Sequence, residues 1–504
     1  MSVEERTGAD EALGTRAASG VLWLAAQKWV VRASGFVTLI VLTRHVSPQE
    51  FGVAAAAMTV IPTVYLLSDL GFSTYLLQTD ELDHKSLSTA FWASVAAGVL
   101  LSSGLVAIAP LLAAAFRTPQ LVEVLRVLVL AIVPTVLAGV PLALLRRAMA
   151  FRTVALQSLV AAVLAQAVAI VTAVLGGGVW ALVSQVVVTQ WVIGLLAWRS
   201  ARWLPSLSLS PQQFRIMAVF GIRVSGVDLV ATMRLWAENW IIAVTLGTTA
   251  LGLFSIGQRL VLVAQELIAA SMVPVSTVVF AKVRESMDRL RATYLKALGV
   301  AYAVVSPVMI LLVVAAPVLI PFLFGDKWAG SVRPAQALAV AGIITLGAML
   351  DHGLFYGLGR PGRWLSYSVV TDAATVATTA VAVRWGLTGV AIGFVGVAAA
   401  ATAARWVLVG RLVDLPARAV ARPFLAVLVP TSAALAVGSL LLATLSGSEW
   451  PIVALLATGV GTVAMNVLAL RLLAGGIVRD ALSVLPLPRA HARRAARLLR
   501  FGTD

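Results

Sequence analysis

The stretch "VLVLAIVPTVLAGVPLALL", Val127–Leu145, decides the fold class of this chain. It is 19 residues long and carries no charged side chain. A helix of about 20 such residues crosses a hydrocarbon core that is about 30 Å thick. Two arginines, Arg146 and Arg147, follow it directly, as is typical of a span that ends at the cytoplasmic surface. The stretch therefore predicts both a transmembrane helix and its orientation.

Similar runs recur along all 504 residues, and the chain is 60% hydrophobic with a mean hydropathy of +0.96. Only 12% of the residues are charged, whereas a soluble protein would carry about 25%. The pattern predicts an all-α integral membrane protein with about fourteen transmembrane helices. The predicted spans are 20–43, 51–77, 89–116, 122–145, 154–175, 179–198, 216–246, 251–280, 293–324, 334–357, 365–384, 387–410, 423–445 and 450–473.

The Lys and Arg residues are concentrated in the connecting segments on one side of the membrane. With a cytoplasmic N-terminus, 25 Lys and Arg residues lie in cytoplasmic segments and 5 lie in outer loops. Such a bias predicts that both termini of a multi-pass protein face the cytoplasm. The net charge of +16 is therefore no sign of nucleic-acid binding. The absence of cysteine excludes disulfides and thiolate metal sites.

The chain repeats itself at an offset of about 200 residues. Thr43–Pro62, "TRHVSPQEFGVAAAAMTVIP", resembles Thr245–Ala264, and Gly52 aligns with Gly252. A second match, "APLLAAAF" against "APVLIPFLF", has an offset that is also near 200 residues. Two parallel repeats with a site at their interface are typical of transporters. The repeat predicts two pseudo-symmetric six-helix lobes around a central cavity, followed by two C-terminal helices.

The predicted domains follow from this division. They are a cytoplasmic N-terminal segment (1–19), an N-lobe (20–198), a cytoplasmic linker (199–215), a C-lobe (216–410), helices 13 and 14 (423–473) and a basic cytoplasmic tail (474–504).

Two cations lie inside the first span. Lys28 and Arg32, in "QKWVVR", are four residues apart and therefore share one face of a helix. A charge at the centre of a membrane helix costs about 2.5–3.5 kcal/mol on insertion scales. Since helix 1 has no acid one turn away, these cations need a partner on another helix, a hydrated cavity or an anionic ligand.

More charges lie in the other helices that begin each half of the repeat. The cations suit an anionic substrate such as phosphate or pyrophosphate, and the acids suit a coupling proton or Na⁺. The predicted substrate-binding residues are Lys28, Arg32, Arg234, Arg259 and Arg223, and the predicted ion-coupling residues are Asp69, Glu238, Glu266 and Asp228.

Structural alternatives stay open for these charges. Arg223 can extend its charged end to the membrane surface, and Asp69 can cap a helix break before Gly71. Arg234 and Glu238, four residues apart, can form an ion pair that only holds helices together. Arg405 is interpreted as a helix-end anchor. Asp351 lies near the cytoplasmic end of helix 10, where a metal or proton role is the less favoured alternative to a structural one.

The sequence contains no nucleotide-binding loop, no HExxH and no nucleophile elbow. Nothing in it predicts an enzyme, a cofactor or a metal site.

Four segments together resemble one family of membrane proteins. They are "LTRHVSPQEFGVAAAAMTVIPTVYLLSDLGFSTYLLQ" (Leu42–Gln78), "LSTAFWAS" (Leu87–Ser94), "LLRRAMAFR" (Leu144–Arg152) and "ENWIIAVTLGTTALGLFSIGQRL" (Glu238–Leu260). In combination they resemble the Wzx-type lipid-linked oligosaccharide flippases of the multidrug/oligosaccharidyl-lipid/polysaccharide exporter (MOP) superfamily. The resemblance covers most of residues 15–410 and is nearest to the WzxC/TuaB-like branch of polysaccharide biosynthesis proteins.

The resemblance implies a MATE-like fold and transport by alternating access. The implied substrate is an undecaprenyl-pyrophosphate-linked oligosaccharide, carried from the inner to the outer leaflet. The implied partners are membrane lipids and the polymerase and glycosyltransferases of cell-surface polysaccharide biosynthesis. The resemblance also implies cations in the cavity on the first helices of each lobe. It assigns them by matching segments, and the candidates are Lys28, Arg32, Arg234 and Arg259.

Three other functions stay open. A multidrug or cation antiporter of the same superfamily favours an acidic, aromatic cavity, whereas the charges here are net basic. A membrane polysaccharide polymerase or ligase needs a large outer loop with catalytic Arg or His. A scaffold of the assembly machinery would tolerate loss of the charges inside the spans.

Overall fold

The computed structural model describes residues 27, 29–79, 83–283, 286–445 and 451–484. These residues form fifteen α-helices, two 3₁₀ turns and no β-strand. The first helices are α1 (29–45), α2 (Pro48–Asp69), α3 (Phe72–Gln78), α4 (His84–Ala115), α5 (Leu121–Arg147), α6 (Phe151–Val174), α7 (Val179–Ala201) and α8 (Pro211–Val283). The others are α9 (Met287–Phe324), α10 (Val332–Thr345), α11 (Gly347–Gly357), α12 (Pro361–Ala382), α13 (Gly386–Val413), α14 (Ala417–Leu445) and α15 (Pro451–Val484).

The local sequence fixes where α2 begins. The Ser47 hydroxyl accepts a hydrogen bond from the Glu50 amide, and the Glu50 carboxylate accepts one from the Ser47 amide at 2.8 Å. This reciprocal capping box satisfies two amides that no helical carbonyl can reach. Pro48 occupies the first turn, where its missing N–H costs nothing. The short "SPQE" motif therefore ends α1 and starts α2.

The long helix α8 is bent at Gly247. Its φ of 86° and ψ of 167° interrupt the helix between residues that the sequence assigns to spans 7 and 8. Only glycine adopts such backbone angles without strain. The predicted outer turn between these spans is therefore a one-residue break in an otherwise continuous helical segment.

The chain forms two compact units, Met1–Leu253 and Phe254–Asp504. In the first unit, α5 packs against α2, α4 and α7. The connection between α7 and α8 lies against the start of α4, where the Trp92 indole donates to the Ser206 carbonyl at 2.9 Å. Residues 216–253, which the sequence assigns to the C-lobe, are grouped with this first unit.

The second unit is built around α9, which packs against α10, α14 and α15. Helix α13 packs against α10 and α12. The helices α10 and α11 are separated by Leu346, so that α11 is a short segment of 11 residues. A Cβ atom on Gly347 would lie 2.5 Å from a guanidinium nitrogen of Arg405, so α11 starts with a glycine where that side chain passes.

The all-α membrane fold that the sequence predicts is confirmed. Eleven segments of the described residues are long and apolar enough to cross a membrane. One of them, Thr232–Gln265, includes the break at Gly247, and another, Pro361–Val413, contains both α12 and α13. The start of the predicted first span (20–26) and the end of the basic tail (485–504) lie outside the described residues. The protein is a multi-pass membrane protein.

Candidate functional site

Polar side chains meet where α8 packs against α2 inside the first unit. The Asn239 amide donates to the Thr59 hydroxyl at 2.7 Å, and the Trp236 indole donates to the Thr63 hydroxyl at 3.1 Å. The two threonines are four residues apart and so lie on one face of α2. We call these four residues the α2–α8 seam. Its hydrogen bonds satisfy polar groups that the apolar spans would otherwise leave without partners.

A buried carboxylate lies on α8 next to the seam. The Arg234 guanidinium donates to Glu238 at 2.5 Å, which is the four-residue pair expected from the sequence. Glu238 is only 1% exposed, whereas the Arg234 side chain is 29% exposed. Arg234 therefore compensates the buried charge and also keeps part of its surface accessible, as an anion-binding side chain requires.

Two close backbone contacts flank the seam. Near the start of α2, a Cβ atom on Gly52 would lie 1.8 Å from the Thr248 carbonyl oxygen, and one on Gly252 would lie 1.9 Å from that of Pro48. The contact is reciprocal and keeps the 200-residue offset of the sequence repeat. Any larger residue at these two glycines would push the backbones apart.

The second contact lies beyond the last residue of α2. There a Cβ atom on Gly221 would lie 1.7 Å from the Leu70 carbonyl oxygen. Leu70 and Gly71 both have left-handed backbone angles, with φ of 51° and 70°. The turn between α2 and α3 therefore rests directly on the backbone of α8.

Asp69 lies at that turn and caps α3. Its carboxylate accepts from the Ser73 hydroxyl at 2.5 Å and from the Ser73 amide at 3.4 Å. A Cβ atom built on Gly139 of α5 would lie 3.8 Å from the same carboxylate. The contact with Ser73 supports the alternative in which Asp69 caps a helix break. The predicted ion-coupling role would have to use the same carboxylate.

The structure describes the side chains of only some of the other predicted site residues. Arg32 is half-buried on α1, and Arg259 is half-buried on the part of α8 that belongs to the second unit. Lys28 lies outside the described residues. Three further predicted site residues lie on α8, but their side chains are outside the described part: Arg223, Asp228 and Glu266.

The sequence interpretation missed a buried ion pair in the second unit. Arg405, expected to anchor a helix end, is only 1% exposed and donates to Asp351, which is fully buried. The Tyr294 hydroxyl donates to the other carboxylate oxygen at 2.5 Å. Arg405 lies eight residues before the end of α13, too deep for its charge to reach the membrane surface easily, and this depth was the available signal.

Part of the chain matches a known protein family. The sequence profile of the family described as "Polysaccharide biosynthesis protein" matches residues 41–333. The matched range includes the α2–α8 seam, Asp69 and the Arg234–Glu238 pair.

Related sequences carry similar descriptions. The succinoglycan biosynthesis transport protein ExoT of Rhizobium meliloti is 25% identical over 352 residues, which are 68% of this chain and 70% of ExoT. The lipopolysaccharide biosynthesis protein WzxC of Escherichia coli is 23% identical, covering 65% of this chain and 67% of WzxC. The teichuronic acid biosynthesis protein TuaB of Bacillus subtilis is 23% identical, covering 64% and 68%.

Solved transporters share the fold. The lipid II flippase MurJ in an inward closed conformation superimposes with a TM-score of 0.72 at 12% identity, over 91% of this chain and 99% of MurJ. An inward-facing multidrug resistance MATE transporter of the MOP superfamily gives a TM-score of 0.64 at 17% identity, over 76% and 94%. The MATE-like fold expected from the sequence is thereby confirmed.

Proposed function

Because the chain belongs to the polysaccharide biosynthesis protein family, we propose that it is a flippase for an undecaprenyl-pyrophosphate-linked oligosaccharide. It carries this substrate from the cytoplasmic to the outer leaflet by alternating access, and the oligosaccharide is then used for cell-surface polysaccharide. The names of the relatives ExoT, WzxC and TuaB support a role in polysaccharide biosynthesis. The MurJ-like and MATE-like fold supports transport.

The proposed substrate class is inferred mainly from Arg234, because its side chain is partly exposed inside an apolar span. Guanidinium groups bind phosphate oxygens through strong, charge-assisted hydrogen bonds, and Arg does so with two parallel donors. Arg234 binds the pyrophosphate together with the other cations of the lobe-opening helices. These are Lys28, Arg32, Arg223 and Arg259.

We assign ion coupling to acidic side chains of the same helices. Glu238 is buried beside Arg234, and Asp69 lies at the turn where α2 meets α3. A proton or Na⁺ that binds such a carboxylate changes the charge inside the protein and so the balance between two conformations. Asp228 and Glu266, on the same long helix, complete the set that we assign to coupling.

The remaining assignments follow from the transport role. The protein lies in the bacterial cytoplasmic membrane with both termini in the cytoplasm, and it catalyses no chemical reaction. It works beside the glycosyltransferases that make the lipid-linked unit and the polymerase that consumes it.

The test is to replace Arg234 in cells that depend on this protein. Arg234→Gln removes the charge and keeps a polar side chain, whereas Arg126→Gln removes an exposed arginine of α5 and is the matched control. A hydrogen bond to a charged group contributes about 1.5–3 kcal/mol, which is roughly a 10- to 150-fold change in affinity. We expect Arg234→Gln to reduce surface polysaccharide and to accumulate the lipid-linked precursor, with Arg126→Gln unchanged. Normal polysaccharide in Arg234→Gln at normal expression would overturn the pyrophosphate assignment.

A multidrug antiporter is the rival of the same fold. It predicts that deletion of the gene sensitises cells to cationic drugs and leaves the polysaccharide intact. A drug-susceptibility panel on the deletion strain separates the two functions.

A further inference from the structure

A string of buried polar side chains runs through the second unit and begins at Asp351. This residue is the one fully buried carboxylate in the described part of that unit. Its two oxygens accept from Arg405 and Tyr294, so that the contact joins α9, α11 and α13. The Tyr367 hydroxyl donates to the Ala401 carbonyl at 3.2 Å.

Arg405 has more donors than the ion pair uses. Among the described residues, its Nε and Nη2 atoms are buried and have no hydrogen-bond partner. The Tyr302 hydroxyl lies next to the guanidinium and is also buried. Two guanidinium nitrogens of Arg405 thus remain unsatisfied in the described part of the chain.

The string continues along α9 and α15. Ser306 lies one turn beyond Tyr302, and its buried hydroxyl has no partner in the described part of the chain. On α15, neither the oxygen nor the nitrogen of the Asn466 side-chain amide has one, and the Thr458 hydroxyl lacks one as well. Ser306 is 1% exposed, while Asn466 and Thr458 are fully buried.

Neighbouring contacts show that the two helices carrying these residues pack together. A Cβ atom on Gly299 would lie 3.4 Å from Ile477, and one on Gly459 would lie 3.3 Å from Leu311. The helices α9 and α15 are therefore antiparallel neighbours. On the part of α15 before its break at Ala474, Asn466 lies seven residues after Gly459, and Ser306 lies five residues before Leu311 on α9, so the two residues lie at similar levels of the helix pair.

Unsatisfied polar atoms of this number are uncommon in protein interiors. More than nine in ten buried polar groups have a partner, and buried water supplies it where protein atoms do not. One such water makes about three hydrogen bonds. The string offers both donors and acceptors, as a chain of ordered water molecules requires.

We propose that this string binds water and carries a proton to Asp351. The proton comes from the aqueous side near the start of α15, passes along the hydroxyls and waters, and ends on the carboxylate. Asp351 becomes a neutral carboxylic acid, Arg405 keeps its charge, and the pair changes from net zero to one positive charge. The ionic contact between α11 and α13 is lost in this step. The proposal rests on the ion-coupled transport proposed above and gives α15 a part in it.

The test is a pH-jump infrared measurement on the purified full-length protein in nanodiscs. The wild-type protein is expected to show the C=O band of a protonated carboxyl at acidic pH. The double variant Asp351→Asn/Arg405→Gln removes both charges, so that neither is left unpaired, and its band should lack the component that Asp351 contributes while the other carboxyl groups keep theirs. A variant that keeps the whole band shows that Asp351 does not take up a proton and overturns the proposal.

The path is tested by the rate at which the band appears. Asn466→Leu should slow it several-fold. The control, Gln336→Leu, alters a side chain of α10 that already donates to the Val313 carbonyl at 2.7 Å, and should leave the rate unchanged. An unchanged rate in Asn466→Leu would show that the proton does not pass α15. Since no lipid-linked substrate is present, failure of the substrate assignment leaves this result untouched.

Discussion

At the residue scale, two of the acidic side chains inside the spans are tied to a local contact. Glu238 has Arg234 one turn away, and Asp69 holds the first turn of α3 through Ser73. A charge deep in a membrane protein is costly unless it is paired or hydrated. Such contacts make the charges tolerable, and they also couple any change in charge to the position of a helix.

Asp69 allows its two roles to be separated. Asp69→Asn keeps an oxygen that accepts from Ser73, whereas Asp69→Ala removes the cap. Loss of a helix cap costs about 1 kcal/mol. We expect the melting temperature in detergent to fall for Asp69→Ala and to stay close to that of the wild type for Asp69→Asn.

A transport assay separates the capping role of Asp69 from its ion-coupling role. If Asp69 couples an ion, both variants should lose the dependence of flipping on the ion gradient. Asp69→Asn with normal gradient dependence would leave this residue with the capping role alone.

At the element scale, α2 and α8 are held together at two glycine contacts with the hydrogen-bonded seam between them. A helix of 22 residues is about 33 Å long, so the two contacts lie near opposite sides of the membrane. The reciprocal contact of Gly52 and Gly252 joins the two helices at one end through backbone atoms, without side chains. Alternating access requires one end to open while the other stays closed, and backbone contacts of this kind can separate without breaking a hydrogen bond.

Gly252→Ala should therefore favour separation at that end. The added methyl group has no space while Pro48 stays in place. In the otherwise cysteine-free chain, a single cysteine at Gln49 should react faster with a membrane-impermeant maleimide in the Gly252→Ala background. Gly104→Ala is the control, since nothing lies within 4 Å of that position. Equal labelling in both backgrounds would show that the contact does not control access.

At the scale of the whole molecule, the sequence predicts much of the fold and less of the site. Hydrophobic runs and alternating cations locate the spans because the bilayer constrains both. The Arg234–Glu238 pair was also predictable, since its members are neighbours on one helix. The Asp351–Arg405 pair was not, because 54 residues separate its partners and only tertiary packing brings them together.

The break in α8 shows a similar limit. Gly247 and its neighbours suggest a turn between two helices, but the sequence does not reveal that one glycine suffices to make it. The reciprocal backbone contact near Gly52 was equally hidden. The sequence repeat aligns Gly52 with Gly252. This alignment indicates that the two positions are equivalent in the two repeats, but not that they are in contact.

The predicted topology can be checked directly. Single cysteines at Arg44 and Trp385 should be labelled from outside intact cells, whereas those at Arg202 and Arg360 should react only after permeabilisation. All four side chains are exposed. External labelling at Arg202 or Arg360 would contradict the cytoplasmic placement of both termini.

The most direct measurement of the central claim is flipping by the purified protein. Proteoliposomes would carry an undecaprenyl-pyrophosphate-linked oligosaccharide, and an impermeant glycosidase would report how much reaches the outer surface under an imposed ion gradient. The account predicts transfer by the wild-type protein, none by Lys28→Ala/Arg32→Ala, and normal transfer by Arg126→Gln. Equal transfer by the wild-type protein and the Lys28→Ala/Arg32→Ala variant, or no transfer above that of empty liposomes, would contradict it.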